Sequence, residues 1–198
     1  MYRGPMIASV LTDDLKLVGR DAETKLLDTV LGRLGDSGGA LVFRGEPGIG
    51  KSALLDRARQ RARAMGARVL STVGVESEAE LAFAGLHQLL HPIVGLMDRL
   101  SDSQRAALEA AFGVTADLEP DPFRVSVAAF QLLCEAADAG PVMLIVDDAH
   151  WLDRSRVGAL AFIARRLESE PLALVAAFAL ELRRCLTMLV SPRWTWSG

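Results

Sequence analysis

Cysteine is scarce in this chain of 198 residues, which carries only Cys134 and Cys185. They stand far apart, with no spacing that suits a disulfide framework or a metal knuckle, so a reducing, cytoplasmic setting is expected. Charge of one sign is also lacking. The formal net charge is −3 and the pI near 5.7, which excludes a molecule dominated by a polyanion-binding surface, and no direct DNA binding is expected of this chain. Long apolar runs are missing too. The stretch Met6 to Leu11 is too brief for a secretory core, and Pro171 to Leu180 ends at Glu181, Arg183 and Arg184. Neither approaches the roughly 20 apolar residues that span a bilayer, so neither export nor membrane insertion is expected. Internal repeats and low-complexity tracts are absent as well.

What the chain does have is apolar content, 51% hydrophobic residues, enough to bury one sizeable core. The run Gly45-Glu46-Pro47-Gly48-Ile49-Gly50-Lys51-Ser52 satisfies the phosphate-loop pattern G-x-x-x-x-G-K-[ST] at each fixed position. A random chain of this size would match it about once in a hundred times, given average glycine usage near 7%. Its glycines let successive backbone N–H groups converge on phosphate oxygens, and the following helix points its positive end at the same anion. Lys51 supplies a mobile positive charge and Ser52 a hydroxyl for Mg²⁺.

The pattern around that loop alternates strand and helix. Leu26, Leu27, Val30, Leu31 and Leu34 recur at helical spacing after Asp21 and Glu23, predicting a helix from about Asp21 to Leu34. Ala40 to Arg44 reads as a strand buried on both faces. Leu54, Leu55, Ala58, Ala62 and Met65 line one side of a helix from Lys51, with Gly66 where a left-handed cap belongs. Val69 to Val73 is a strand. A helical region follows from Glu80 to Leu100, with a kink or break at Pro92. Ser101 and Gln104 form a capping box for a short helix to Phe112. Helices are expected at Pro122 to Ala139 and Ser155 to Glu168, and strands at Val142 to Val146 and Leu172 to Phe178. The fold class is therefore α/β, a three-layer P-loop sandwich whose mainly parallel sheet has helices on both faces.

The strand Val142 to Val146 delivers Asp147 and Asp148 to the carboxyl edge of the sheet, in the manner of a Walker B element. Alone this is a weak sign, since strands often end in aspartate; beside a complete phosphate loop it becomes functional. Asp147 would hold Mg²⁺ and Asp148 would orient or deprotonate the attacking water.

Val18-Gly19-Arg20, the run Gly45 to Ser52, the segment Phe83 to Leu90 and above all Asp147-Asp148-Ala149-His150-Trp151-Leu152-Asp153 resemble the nucleotide-binding domain of LuxR-type large ATP-binding transcriptional regulators. These are signal-transduction ATPases with numerous domains, relatives of the AAA+ class. The resemblance implies ATP or ADP as ligand and a nucleotide-gated switch that self-associates. It places Val18, Gly19 and Arg20 near adenine and ribose, Lys51 and Ser52 at phosphate and metal, and Asp147 and Asp148 at metal and water. It divides the chain into an extension over 1–16, the ATPase domain over 17–180 and an atypical tail over 181–198. The family's DNA-binding part has no counterpart here, and the sheet is expected to be incomplete at its carboxyl end, exposing an edge, in a truncated or frame-shifted product.

The family usually follows its last strand with an arginine that senses the terminal phosphate. Here Ala179-Leu180-Glu181-Leu182 intervenes before Arg183 and Arg184, which places hydrolysis in question. Other residues have plainer readings. Arg57, Arg59, Arg61, Arg63 and Arg68 spread over the outer surface of a helix and its exit as solvated charges. His87 and His91 lack a third ligand and are expected to pack. Cys134 reads as a core residue and Trp151 as a packing one, while His150 is either a nucleotide sensor or a satisfied turn histidine. Two other functions remain open: a P-loop kinase or phosphotransferase, although no arginine-bearing lid lies between Leu152 and Leu180, and an AAA+ ATPase of the replication-initiation type.

Overall fold

The computed structural model describes residues 20–78, 81–115, 119–152, 154–179 and 195–197. Helix α1 is Asp21–Leu31, strand β1 Gly39–Gly45, helix α2 Lys51–Ala64 and strand β2 Arg68–Val73. Then come α3 Ala84–Leu90, a 3-10 helix His91–Arg99, α4 Asp102–Ala111 and α5 Pro122–Ala137. Strand β3 is Val142–Asp147, α6 Arg154–Ala164, β4 Leu172–Ala179 and β5 Thr195–Ser197.

Every strand pairs parallel to its neighbours, in the order β2-β3-β4-β1-β5. Because side chains alternate across a strand, the central strands feed two cores. Leu41, Phe43, Met143, Ile145, Ala173 and Val175 face α1 and α2, whose Leu27, Val30, Leu54 and Leu55 complete one apolar layer. Val42, Leu144, Val146, Leu174 and Ala176 face the opposite layer, built from α3, α5, α6 and the 3-10 helix. Full burial of each large aliphatic or aromatic side chain here contributes about 1.5–3 kcal/mol, so these two layers are what hold the sheet flat against its helices. The three-layer α/β expectation is met.

Boundaries differ at several helix ends. Helix α1 stops at Leu31, because Gly32 and the turn after it replace the last helical turn, although Leu34 still reaches the core. The helical region expected to Leu100 does break at Pro92, as anticipated: it is α3 followed by nine residues of 3-10 helix, with Pro92 at the start of the tighter segment. A proline has no N–H to donate and its ring crowds the preceding turn, which ends the α-helix there. Helix α5 ends at Ala137 rather than Ala139, and α6 at Ala164, with a separate turn Leu167–Ser169. Gly66 does take the left-handed cap conformation, φ 79°. Ser101 N–H donates to Gln104 Oε1 at 3.1 Å, as a capping box requires.

The tail contributes something that alternation did not reveal. Thr195–Ser197 lies parallel beside β1, pairing Val42 with Thr195 and Arg44 with Ser197. Strand β1 is thus paired on this side over Val42 to Arg44, and three residues are too few to show a period. Arg183, Arg184 and Cys185 lie outside the described residues, as do Val18 and Gly19.

Candidate nucleotide-binding site

Strand register brings the two motifs to one edge. Val146 pairs with Ala176 and Ala176 with Val42, so β4 separates β1 from β3; β1 and β4 end level at Gly45 and Ala179, and β3 stops at Asp147, two residues short of them. Two inter-strand steps of about 4.8 Å, with an offset of two residues at about 3.3 Å each along the strand, place the end of β3 roughly 12 Å from the end of β1. Asp147, the last residue of β3, and Gly45, the last residue of β1, therefore flank the same carboxyl edge. In open α/β sheets that edge is where ligands bind.

The phosphate loop has the backbone its glycines permit. Gly48 and Gly50 adopt φ 79° and 93°, a region that residues with a Cβ seldom enter. A Cβ on Gly45 would sit 2.8 Å from Ile49 Cγ2, so the loop also closes tightly on its own first residue. Gly50 caps α2 without a side-chain hydrogen bond, and no acidic residue stands in the first turn. The first amides of that 14-residue helix and its positive end are thus available to an anion. Lys51 is buried, and its Nζ donates to the carbonyls of Gly45 at 3.0 Å and Glu46 at 2.9 Å. Carbonyl dipoles do not neutralise an ammonium as an anion would, so a polyphosphate fits this cradle as the stronger acceptor. Ser52 is exposed at the second position of the helix, Glu46, Pro47 and Gly48 are exposed along the loop, and Ile49 is half-buried.

The acidic pair is shaped by its own backbone. Asp148 lies in the left-handed region, φ 44° and ψ 41°, and caps a short 3-10 turn, Ala149–Trp151. One oxygen of Asp147 accepts the Asp148 N–H at 2.8 Å, while the Asp147 carbonyl accepts Gly74 N–H at 2.9 Å. Gly74, just past β2, presses against the turn: a Cβ there would fall 2.2 Å from the Asp148 carbonyl oxygen and 3.1 Å from Trp151 Cβ. Asp147 is half-buried, and the Asp148 side chain is about half exposed. Two carboxylates at the same sheet edge as the phosphate loop, one accepting a backbone N–H and one half exposed, are oxygen donors of the kind that would suit Mg²⁺.

His150 Nδ1 lies 3.8 Å from Asp148 Oδ1, beyond hydrogen-bond reach, and its ring leans on Trp151 at 5.0 Å between centroids. Arg20 donates from Nη1 to Glu23 Oε1 at 2.6 Å and from Nη2 to the Ile49 carbonyl at 2.5 Å. His87 and His91 meet edge to face at 5.7 Å, and His87 also packs on Phe112. Among the described residues no group of three His, Cys, Asp or Glu side chains could hold a metal alone. On α2, Arg61 pairs with Asp28 of α1 at 2.7 Å and Arg59 pairs with Asp56. Burial pushes the Cys134 thiol up to about 12, with Glu170, Asp138 and Glu135 adding to the rise, so it remains a neutral packing group. No described helix is long and apolar enough to cross a membrane. Sequence reasoning missed Gly74, whose neighbours Val73 and Val75 offer no pattern; only its close approach to Asp148 reveals it.

The chain is 26% identical over 192 residues to an uncharacterised protein, R02095, of Rhizobium meliloti (strain 1021), across 80% of this chain and 18% of that one. It thus spans less than a fifth of the length of this curated relative. Among solved structures it is similar to the Aeropyrum pernix ORC2 protein, with a TM-score of 0.51 and 14% identity over 90% of this chain and 47% of that one. It is also similar to the Walker-type ATPase PABY2304 of Pyrococcus abyssi, at 0.43 and 17% identity over 80% and 44% of the two chains. Of these, the Aeropyrum likeness bears on the α/β fold alone. The profile of the AAA ATPase domain matches residues 16–175, most of the chain, and the protein belongs to the AAA ATPase domain family.

Proposed function

We propose that this chain is the ATP- and ADP-binding switch domain of a LuxR-type transcriptional regulator, with slow hydrolysis as its timing step. The observation that carries the nucleotide half is the shared edge: the glycine cradle with its buried Lys51 ends β1, and Asp147 ends β3, with only β4 between. The regulator half rests on the string Asp147-Asp148-Ala149-His150-Trp151-Leu152-Asp153, which is more distinctive than a phosphate loop shared by many NTPases. Residues of this chain divide the work. The loop amides and Lys51 bind and neutralise the phosphates, Ser52 and Asp147 supply oxygens to the metal, and Asp148 orients a water. When bound, Mg²⁺ spreads the charge that develops on the transferring phosphoryl group. Strand β4 ends at Ala179, an apolar residue, where a phosphate-sensing arginine would otherwise follow. Slow turnover suits a switch whose bound state must persist. The Aeropyrum protein was solved as ADPNP–ADP complexes, which accords with an adenine nucleotide here.

Calorimetric titration with ATP and ADP, with and without Mg²⁺, tests the reading on wild type and Lys51→Ala. Removing the ammonium leaves phosphate charge uncompensated and is expected to weaken ATP by about 2–5 kcal/mol. Equal affinity in the two proteins would defeat the assignment.

A further inference from the structure

We propose that Arg20 and Glu23 form a strut that sets the orientation of one peptide in the phosphate loop, so that Arg20 acts on the triphosphate through the backbone rather than by touching the base. This deepens the nucleotide reading and rests on it.

Glu23 sits in the first turn of α1, where the helix's positive end favours a carboxylate, yet its side chain is only 4% exposed. A buried carboxylate needs a partner, and Arg20 supplies one at 2.6 Å. The same guanidinium reaches 29 residues along the chain to the Ile49 carbonyl. A planar fork can serve two acceptors at once, which a single ammonium cannot do with the same fixed geometry. Because a trans peptide points its carbonyl and its following N–H in opposite directions, holding the Ile49 carbonyl toward α1 turns the Gly50 N–H away from it. Gly50 is the residue whose left-handed backbone, φ 93°, opens α2. Ile49 is held from its other side as well, since its N–H donates to the Glu46 carbonyl at 3.3 Å and its side chain seals against Gly45. The Arg20 contact thus fixes the one peptide that links the cradle to its helix, and Glu23 fixes Arg20.

The test separates a loop-positioning role from a base-reading one by using a ligand that has no base. Inorganic tripolyphosphate and ATP are titrated into wild type, Glu23→Gln, Arg20→Lys and Arg20→Ala. Both ligands are expected to weaken by the same factor, about tenfold, because each variant loses a charge-assisted hydrogen bond that shapes the loop. Arg20→Lys is expected not to rescue. If ATP weakens while tripolyphosphate is unchanged, Arg20 reads adenosine and the strut is overturned; unchanged affinity for both overturns it too. Amide hydrogen exchange of the nucleotide-free protein gives an independent readout. Loop amides over 45–52 should exchange about tenfold faster in Glu23→Gln, and identical exchange would overturn the strut even if nucleotide binds. Wild type that binds neither ligand, with faster loop exchange in Glu23→Gln, would instead fault the nucleotide reading and leave the strut standing. Should Arg20→Ala fail to fold, the near-isosteric Glu23→Gln and the charge-preserving Arg20→Lys carry the comparison.

Discussion

Asp148 shows how a single residue can be kept in a costly conformation by its neighbours. Left-handed backbone at a residue with a Cβ costs roughly 1–2 kcal/mol, and aspartate is among the few types that tolerate it. The surrounding structure enforces it: Gly74 leaves room for the Asp148 carbonyl that no larger residue would, and Trp151 N–H donates back to that carbonyl at 3.0 Å. Strain held by neighbours clusters at functional sites. The consequence is an inverted order of substitutions. In a helix, alanine is more stable than glycine; at position 148, Asp148→Gly should be more stable than Asp148→Ala by about 1 kcal/mol in urea denaturation, because glycine alone enters φ 44° freely. Both should lower phosphate release equally, since both lose the carboxylate. If the alanine variant were the more stable one, the strained turn would not be a feature of the folded protein.

At the level of elements, α5 buries its apolar face against the sheet and its neighbouring helices, with Val125, Ala128, Leu132 and Leu133 fully enclosed. Its start is fixed by Asp121, whose Oδ1 accepts from the N–H groups of Phe123 and Arg124 at 2.9 Å each, and by Pro122 at the first helical position. Asp121→Ala should therefore cost about 1 kcal/mol, read as a lower urea midpoint at unchanged slope; a change within a few tenths of a kcal/mol would mean that the cap is idle. This element was legible in the sequence, because a proline after an aspartate, a 3.6-residue apolar period and a terminal Gly140-Pro141 all point the same way. The region after β2 was less so. Phe83 takes φ 59° just before α3, a left-handed phenylalanine that no local preference predicts and that only its burial in the core at 2% exposure explains. Strand β5 was invisible because three residues carry no alternation, and its pairing with β1 is decided by sheet contacts distant in sequence.

For the whole molecule, the motif pair announced which residues meet but not how. That β4, late in the chain, inserts between β1 and β3 is a matter of parallel crossover topology, and no residue of β4 advertises it. The arrangement means that a ligand spanning Lys51 and Asp147 would tie together both outer strands of the β3-β4-β1 core and, through α2, the helical layer on one face. Anything that binds only the folded form stabilises it by mass action, about 2.7 kcal/mol at a hundred times the dissociation constant. For a domain of this size that corresponds to a rise in Tm of roughly 5–10 °C. Wild type with saturating Mg²⁺ and ATP should show this rise, and Lys51→Ala at the same concentrations should show little of it. The variant's Tm without nucleotide should stay within a few degrees of wild type, because Lys51 spends its charge there on only two loop carbonyls, Gly45 and Glu46. On the proposed reading, in which Ser52 and Asp147 would hold the metal, omitting Mg²⁺ should remove part of the wild-type rise. A wild-type Tm indifferent to nucleotide over a wide concentration range would mean that the two ends of the sheet edge hold no common ligand.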